Sequence, residues 1–235
     1  MKIEVDLHTH SNYTAHAYST IYENVMYAVK RGLKGIGVTD HGPNFEDGGH
    51  IWHFHNLKDL PKVAEGVHLF RGIEANLLNP DGKMDTEFVK PHKLDYIIAS
   101  YHGPFEGIIT KEDLENAYLN AMDNPQVKVL GHIDRGFFEV DFEKIIKKAK
   151  EKNIAVELNK HSLELDDTYR GRVIKIAKIC NDLKAPVVVN SDAHFCTDVG
   201  NVENIFELLE QLDFDCSLII NTSFERTLKF IGGEQ

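Results

Sequence analysis

The chain has 235 residues, 42% of them hydrophobic and 27% charged, which is the balance of a globular protein and room for one barrel or two small domains. Its formal charge of -11 disfavours nucleic acid or an anionic membrane as a general partner, because both demand stripes of lysine and arginine. No apolar run approaches the roughly 18 residues of a membrane span, the opening MKIEVDLHTH has no leader pattern, and the three cysteines form no C-x-x-C pair; together these predict a reducing, cytoplasmic setting.

Short β-branched runs alternate with helix-length amphipathic stretches, the signature of βα units. Strands are expected at 3–7, 35–39, 67–73, 95–100, 128–131, 154–158 and 187–191, with a shorter candidate at 217–220. Helical spacing covers 20–31, 111–122, 141–152, 168–183 and 201–211, with Asp141 and Thr168 as N-caps. The insertion at 42–66 is rich in glycine, histidine and aromatics, with one short helix expected near 56–65.

The residue that follows each run is polar: His8, His41, Glu74, His102, His132, Asn159, Asp192 and Asn221. These markers recur roughly every 30 residues, about one βα unit. Such spacing suits a parallel barrel or an open doubly wound sheet. Ligand-type residues at successive strand ends converge only if the strands circle back, so the expected fold is an α/β barrel of the distorted TIM-like (β/α)7 kind, one domain over 1–235, with its site at the C-terminal strand ends.

The thirteen histidines point to the chemistry there. His8 and His10, two apart, can reach one ion from the same side of a strand. His16, His41, His102, His132 and His194 fall near the other strand ends, with Glu74 and Asp192 as carboxylates. Any one histidine after a strand is more often a hydrogen-bonded cap than a ligand. Nine such groups in one mouth without metal would be costly to bury, so a metal site is the reading.

The motifs H-T-H-S at 8–11, T-D-H-G at 39–42, G-I-E-A-N at 72–76, the single histidines 102 and 132, and S-D-A-H at 191–194 resemble the PHP (polymerase and histidinol phosphatase) family. The stretches H-G-P-N-F-E-D at 41–47 and H-I-W-H-F at 50–54 are similar to its small stand-alone bacterial phosphatases. The resemblance implies three divalent ions, zinc first with manganese or iron as alternatives. One ion would take His8, His10, Glu74 and Asp192, a second Glu74, His102 and His132, and the third His16, His41 and His194. It departs at Ile133-Asp134-Arg135, where relatives often carry proline, and at Asn159-Lys160-His161, both beside the approach of substrate.

The expected activity is hydrolysis of a small phosphomonoester, with a hydroxide between two ions about 3.5–4 Å apart as nucleophile. Asp40 and His53 are the candidates to protonate the leaving group, although Asp40 could instead orient a histidine. Arg135, Lys160, His161, Arg170 and His50 are candidate substrate contacts, with solvated surface charge as the plainer reading of each cation. The protein is expected to be a monomer or small homo-oligomer. An exonuclease, a histidinol-phosphate phosphatase and a non-catalytic metal-binding protein are the alternatives. A metal-dependent amidohydrolase would commonly need a bridging lysine on a middle strand, whereas here the third strand ends in Glu74 and the fourth in His102.

Overall fold

The computed structural model describes residues 1–46, 48–88, 94–103, 105 and 107–232. Seven parallel strands form the barrel wall in the order β1 (Val5–Asp6), β2 (Gly35–Val38), β4 (Val67–Asn76), β5 (Tyr96–Ser100), β6 (Val127–Leu130), β7 (Ala155–Asn159) and β8 (Val187–Asn190). A two-residue strand, β3 (Val63–Ala64), runs antiparallel to the start of β4. The ring is nearly closed: a single parallel bridge, Thr9 to Ala193, joins the segments beyond β1 and β8. Every residue of β2, β5, β7 and β8 is buried, as expected when helices cover the outside of a parallel sheet. Among the described residues no helix is long and apolar enough to cross a membrane.

Side chains on one face of a strand repeat every second residue. On β4 that places Phe70, Gly72, Glu74 and Asn76 in ascending order inside the barrel. Val5, Leu7, Phe70, Tyr96, Ile98, Val129, Ala155 and Val188 fill the lower interior. Ile231 of α8 (Phe224–Ile231) closes it from below, with Phe224 and Leu228 packed alongside. Gly37 must lack a side chain: a Cβ there would lie 2.1 Å from the Tyr96 hydroxyl and 2.6 Å from the Leu7 carbonyl oxygen. Above this apolar layer the inward residues turn polar, and the site begins.

The helices α1 (Ile21–Arg31), α3 (Lys111–Ala121), α4 (Phe142–Glu151), α6 (Asp167–Leu183) and α7 (Glu203–Gln211) match the periodic stretches within a residue or two. Asp141 caps α4 by accepting from the Lys144 amide, and Ile145, Ile146 and Ala149 are buried on its inner face. The cap of α6 is Asp166, which accepts from the amides of Thr168 and Tyr169, so Thr168 lies inside the helix rather than at its start. The short helix expected near 56–65 falls earlier, at α2 (Trp52–Asn56), because β3 draws 63–64 into the sheet.

The candidate strand at 217–220 is not a strand. Asp215 caps a 3-10 turn, Cys216–Leu218, and a second turn, Ile220–Thr222, follows. In place of an eighth ladder, the buried Asn221 side chain fills the seam. Its Nδ2 donates to the carbonyl oxygens of Val5 (2.8 Å) and Val189 (2.7 Å), and its Oδ1 accepts from the Val189 amide (3.0 Å). One side chain thus satisfies both edge strands. Asn221→Leu leaves three buried backbone groups unpaired, each worth about 1–3 kcal/mol. We expect it to lower unfolding free energy in urea by at least about 2 kcal/mol; a change under about 0.5 kcal/mol would contradict this account of the seam.

Candidate metal centre

Nine side chains from six strand ends face one another at the barrel mouth. Regular pairing in β1 stops at Asp6, so His8 and His10 project from the extended segment that the Thr9 bridge holds. His41 bridges to Glu74, which lies within β4 rather than after it. His102, His132 and Asp192 each lie two residues beyond their strands. His132 and Asp192 adopt positive φ, 24° and 56°, a backbone region that non-glycine residues seldom occupy and that here turns both side chains over the opening. His16 comes from the loop after His10 and is exposed.

Glu74 is the hub. Its Oε2 stands 3.2 Å from His8 Nε2, 3.5 Å from His10 Nε2 and 3.3 Å from His41 Nε2. Its Oε1 stands 3.2 Å from His102 Nε2 and 2.7 Å from His132 Nε2. Asp192 Oδ1 is 3.0 Å from His10 Nε2 and 3.5 Å from His8 Nε2. Three groups have donor atoms all within 4.8 Å of one another: His8, His10 and Glu74; His41, Glu74 and His102; His10, His41 and His194. The His16 ring stacks on that of His194, 4.4 Å between centroids, and meets His41 edge-on.

A divalent ion fits these donors. His8 Nε2, Glu74 Oε2 and His194 Nε2 are buried and make no hydrogen bond, a costly arrangement that a cation would satisfy. Ionisation fits as well. Burial pushes the Glu74 carboxyl up, but His8, His102 and His41 outweigh it and hold the group well below its ordinary range. Burial likewise works against Asp192, and His8 and Arg135 hold it low. Burial, reinforced by His10, pushes His194 down to about 3, and burial also holds His41 neutral. Ionised carboxylates and neutral imidazoles are the forms that bind metal. His8 is the exception: burial pulls it down, but Glu157, Glu74 and Asp192 together raise it.

Glu157, absent from the sequence expectations, organises this layer. Its Oε1 is 2.7 Å from His8 Nδ1 and accepts from Asn190 Nδ2; its Oε2 accepts from the His132 amide (2.9 Å) and from Asn159 Nδ2 (3.0 Å). With His8 Nδ1 held there, Nε2 is left for Glu74 and an ion. Asn76 does the same for His102, Oδ1 to Nδ1 at 2.7 Å, and Asp85 grips Asn76 through its amide and Nδ2. His194 Nδ1 donates to the Asp192 carbonyl oxygen. A charged residue in the apolar run IAVEL, two before Asn159, was a signal for Glu157; Asp85 carried none.

A cavity of 150 Å³ sits above the hub, and Arg135 and His161 line it. The Arg135 guanidinium bonds Asp192 Oδ2 (2.9 Å), Asn159 Oδ1 (2.6 Å) and Ser162 Oγ (2.9 Å). The other substrate candidates are not in its lining. Lys160 pairs with Glu164 (2.8 Å) and Asp198 (3.6 Å), Arg170 is exposed on α6, and His50 is exposed in the insertion. The two proton-donor candidates meet each other instead, with His53 Nε2 2.9 Å from Asp40 Oδ2. Asp40 also accepts from the Ser11 amide, Ser11 Oγ and Thr14 Oγ1. Burial works to raise Asp40, yet His53 keeps it low, which suits an ionised brace for the loop after His10 rather than a proton donor.

A sequence model of the PHP domain matches residues 6–167. A probable phosphatase of Clostridium novyi is 38% identical over 234 residues, covering 98% of this chain and 95% of that protein. A probable phosphatase of Vibrio parahaemolyticus is 39% identical over 233 residues, covering 98% and 93%. Among solved structures, the histidinol phosphate phosphatase of Lactococcus lactis, complexed with zinc, L-histidinol and phosphate, superposes with a TM-score of 0.65 at 17% identity, covering 90% of this chain and 94% of that one. That likeness is one of fold, a TM-score of this size at low identity.

Four donors converge on Glu157, so only an acceptor at both oxygens suits the position. Glu157→Gln sets an amide N–H against one of them and loosens His8. We expect zinc affinity, titrated against a competing chelator, to fall about 10–100-fold with the fold retained. Unchanged affinity would show that His8 is oriented by something else.

Proposed function

The chain belongs to the PHP domain family, and on that footing we propose that it is a metal-dependent phosphatase of small phosphomonoesters working at a three-ion centre. The observation that supports this most is the trio of overlapping donor groups, each within 4.8 Å, two of which include the buried Glu74 while the third shares His10 and His41 with them. The probable-phosphatase relatives align along nearly the whole chain, which supports the same activity.

In this reading His8, His10, Glu74 and Asp192 hold one ion, Glu74, His102 and His132 a second, and His16, His41 and His194 a third. His10 and His41 also lie close enough to their neighbours to be shared. Zinc is our assignment, with manganese or iron compatible, because imidazole mixed with carboxylate suits all three. Divalent ions there would supply positive charge to phosphoryl oxygens and lower the pKa of water toward roughly 7.

The chain's own side chains do the rest. Glu74 and Asp192 stay ionised and so keep the mouth matched to cations. Arg135, anchored on three sides, keeps a fixed guanidinium beside the cavity for phosphoryl oxygens. His161 lines the same wall, and burial lowers its pKa, so it stands neutral with a nitrogen free to accept or pass a proton. Asp40 and His53 serve as positioning residues, fixing the loop 11–14 on which His10 depends.

The test is a metal count with p-nitrophenyl phosphate hydrolysis, wild type beside Glu74→Ala. We expect about three ions per chain in the wild type and a loss of turnover of about 100-fold or more in the variant. A folded chain that stays metal-free after addition of zinc, manganese or iron would overturn the centre. Bound metal without turnover of any phosphomonoester would overturn the phosphatase.

A further inference from the structure

Beside the metal cavity lies a second hollow of 260 Å³. The two share a wall made of Phe45, His102, His132 and Arg135. Beyond that wall the hollow is lined by Tyr101, Phe137, Leu165 and Tyr169. These residues come from the segments after β2, β5, β6 and β7, so four strand ends contribute to the hollow.

Core packing does not account for the outer rim of this lining. Phe137 is 69% exposed and Leu165 46%, although both are large and apolar. A single exposed apolar residue is ordinary, but two that flank one hollow beside a candidate active centre mark a binding surface. Tyr101 is buried beneath them with its ring edge-on to Phe137, 6.4 Å between centroids. Phe45 packs on the rings of His41 and His102, at 5.0 and 4.9 Å, and so forms the partition between donors and hollow.

Charge narrows what the hollow can take. Among the described residues its lining holds no carboxylate, and the cation in its wall is Arg135. The Arg172 guanidinium lies 5.6 Å from the Tyr169 ring centroid, adding positive charge behind it. Among the described lining residues an ammonium group would meet a cation, Arg135, and no carboxylate. A flat neutral ring would find edges and faces to pack on. The volume lies below the roughly 300–1,000 Å³ of drug-sized pockets, which fits one ring system rather than a long chain.

We propose that this hollow is the leaving-group subsite, and that it selects phosphomonoesters of alcohols bearing an uncharged aromatic ring over those bearing an ammonium group. The proposal rests on the phosphatase reading above. A phosphoryl group in the metal cavity directs its ester oxygen over the Phe45–Arg135 wall, and the alcohol portion lies in the hollow.

The test uses the zinc-loaded full chain with 2-phenylethyl, 2-aminoethyl and propyl phosphates, all primary alkyl esters, together with calorimetric binding of 2-phenylethylphosphonate and 2-aminoethylphosphonate. We expect kcat/KM for the phenylethyl ester to exceed that for the aminoethyl ester by about tenfold or more, and the phosphonates to rank the same way. The double variant Phe137→Ala/Leu165→Ala, which empties no core position, should lower the phenylethyl-to-propyl ratio about tenfold. Equal handling of the phenylethyl and aminoethyl compounds in both measurements overturns the selectivity. A ratio unmoved by the double variant overturns the assigned location. Failure to hydrolyse any ester, with the phosphonates still ranked as expected, overturns the phosphatase reading alone and upholds the selectivity of the hollow.

Discussion

The contact between one buried carboxylate and five imidazoles governs the upper half of this barrel. Glu74 has no exposed surface, and an ionised carboxylate removed from water costs several kcal/mol unless it is matched. The match comes from His8, His10, His41, His102 and His132, whose Nε2 atoms lie within 3.5 Å of it. That arrangement holds only while each ring shows the same nitrogen inward. Glu157 and Asn76 enforce it for His8 and His102 from behind. They in turn need neighbouring strands in register, Gly72 to Asn76 against Tyr96 to Ser100 and Val156 to Asn159 against Val187 to Asn190. The apolar floor under Glu74, with Phe70, Tyr96 and Ile98, keeps water from reaching the hub from below.

Much of this was legible in the sequence because parallel βα units repeat. The recurrence of a polar residue after each apolar run marked where strands end, and a closed ring brings those ends together. The helices with clear apolar faces, α1, α3, α4, α6 and α7, were legible for the same reason. Asn221 was marked as the last of the polar positions, but its role was not legible, since its side chain substitutes for backbone pairing where a strand was expected. Glu157 read as a lone acid in an apolar run, and its partners lie on strands distant in the chain. The roles suggested for Lys160 and His50 turned on the paths of loops, which have no periodicity to read, and that for Arg170 on which way a face of α6 points. Lys160 in particular pairs with Glu164, four residues on, and with Asp198, which is distant in sequence.

The mouth divides its labour between two kinds of support. Glu74, His8, His132 and Asp192 hang from or just beyond strands braced across the barrel, where a shift of an ångström would disturb several partners at once. Phe137 and Leu165 sit on the segments above and are largely exposed. On the proposed reading, chemistry falls on the rigid part and recognition on the adaptable part, an arrangement that lets a barrel keep its reaction while its choice of substrate changes. Arg135 belongs to both, tied to Asp192 on one side and facing the aromatic hollow on the other.

The seam between β1 and β8 has a consequence for how the molecule comes apart. Elsewhere the ring is joined by ladders of backbone bonds, but here one bridge is supplemented mainly by side chains: Asn221 on Val5 and Val189, Asn190 on the Leu7 amide, and Asp6 on Ser191. His8 and His10 stand on one lip of this gap, and Asp192 and His194 on the other. Ions shared across it would act as a clasp. Each would draw the lips together, and each would be held more tightly the longer the lips stayed shut. Loading and closure would then be one equilibrium, with metal binding and the shut seam each strengthening the other.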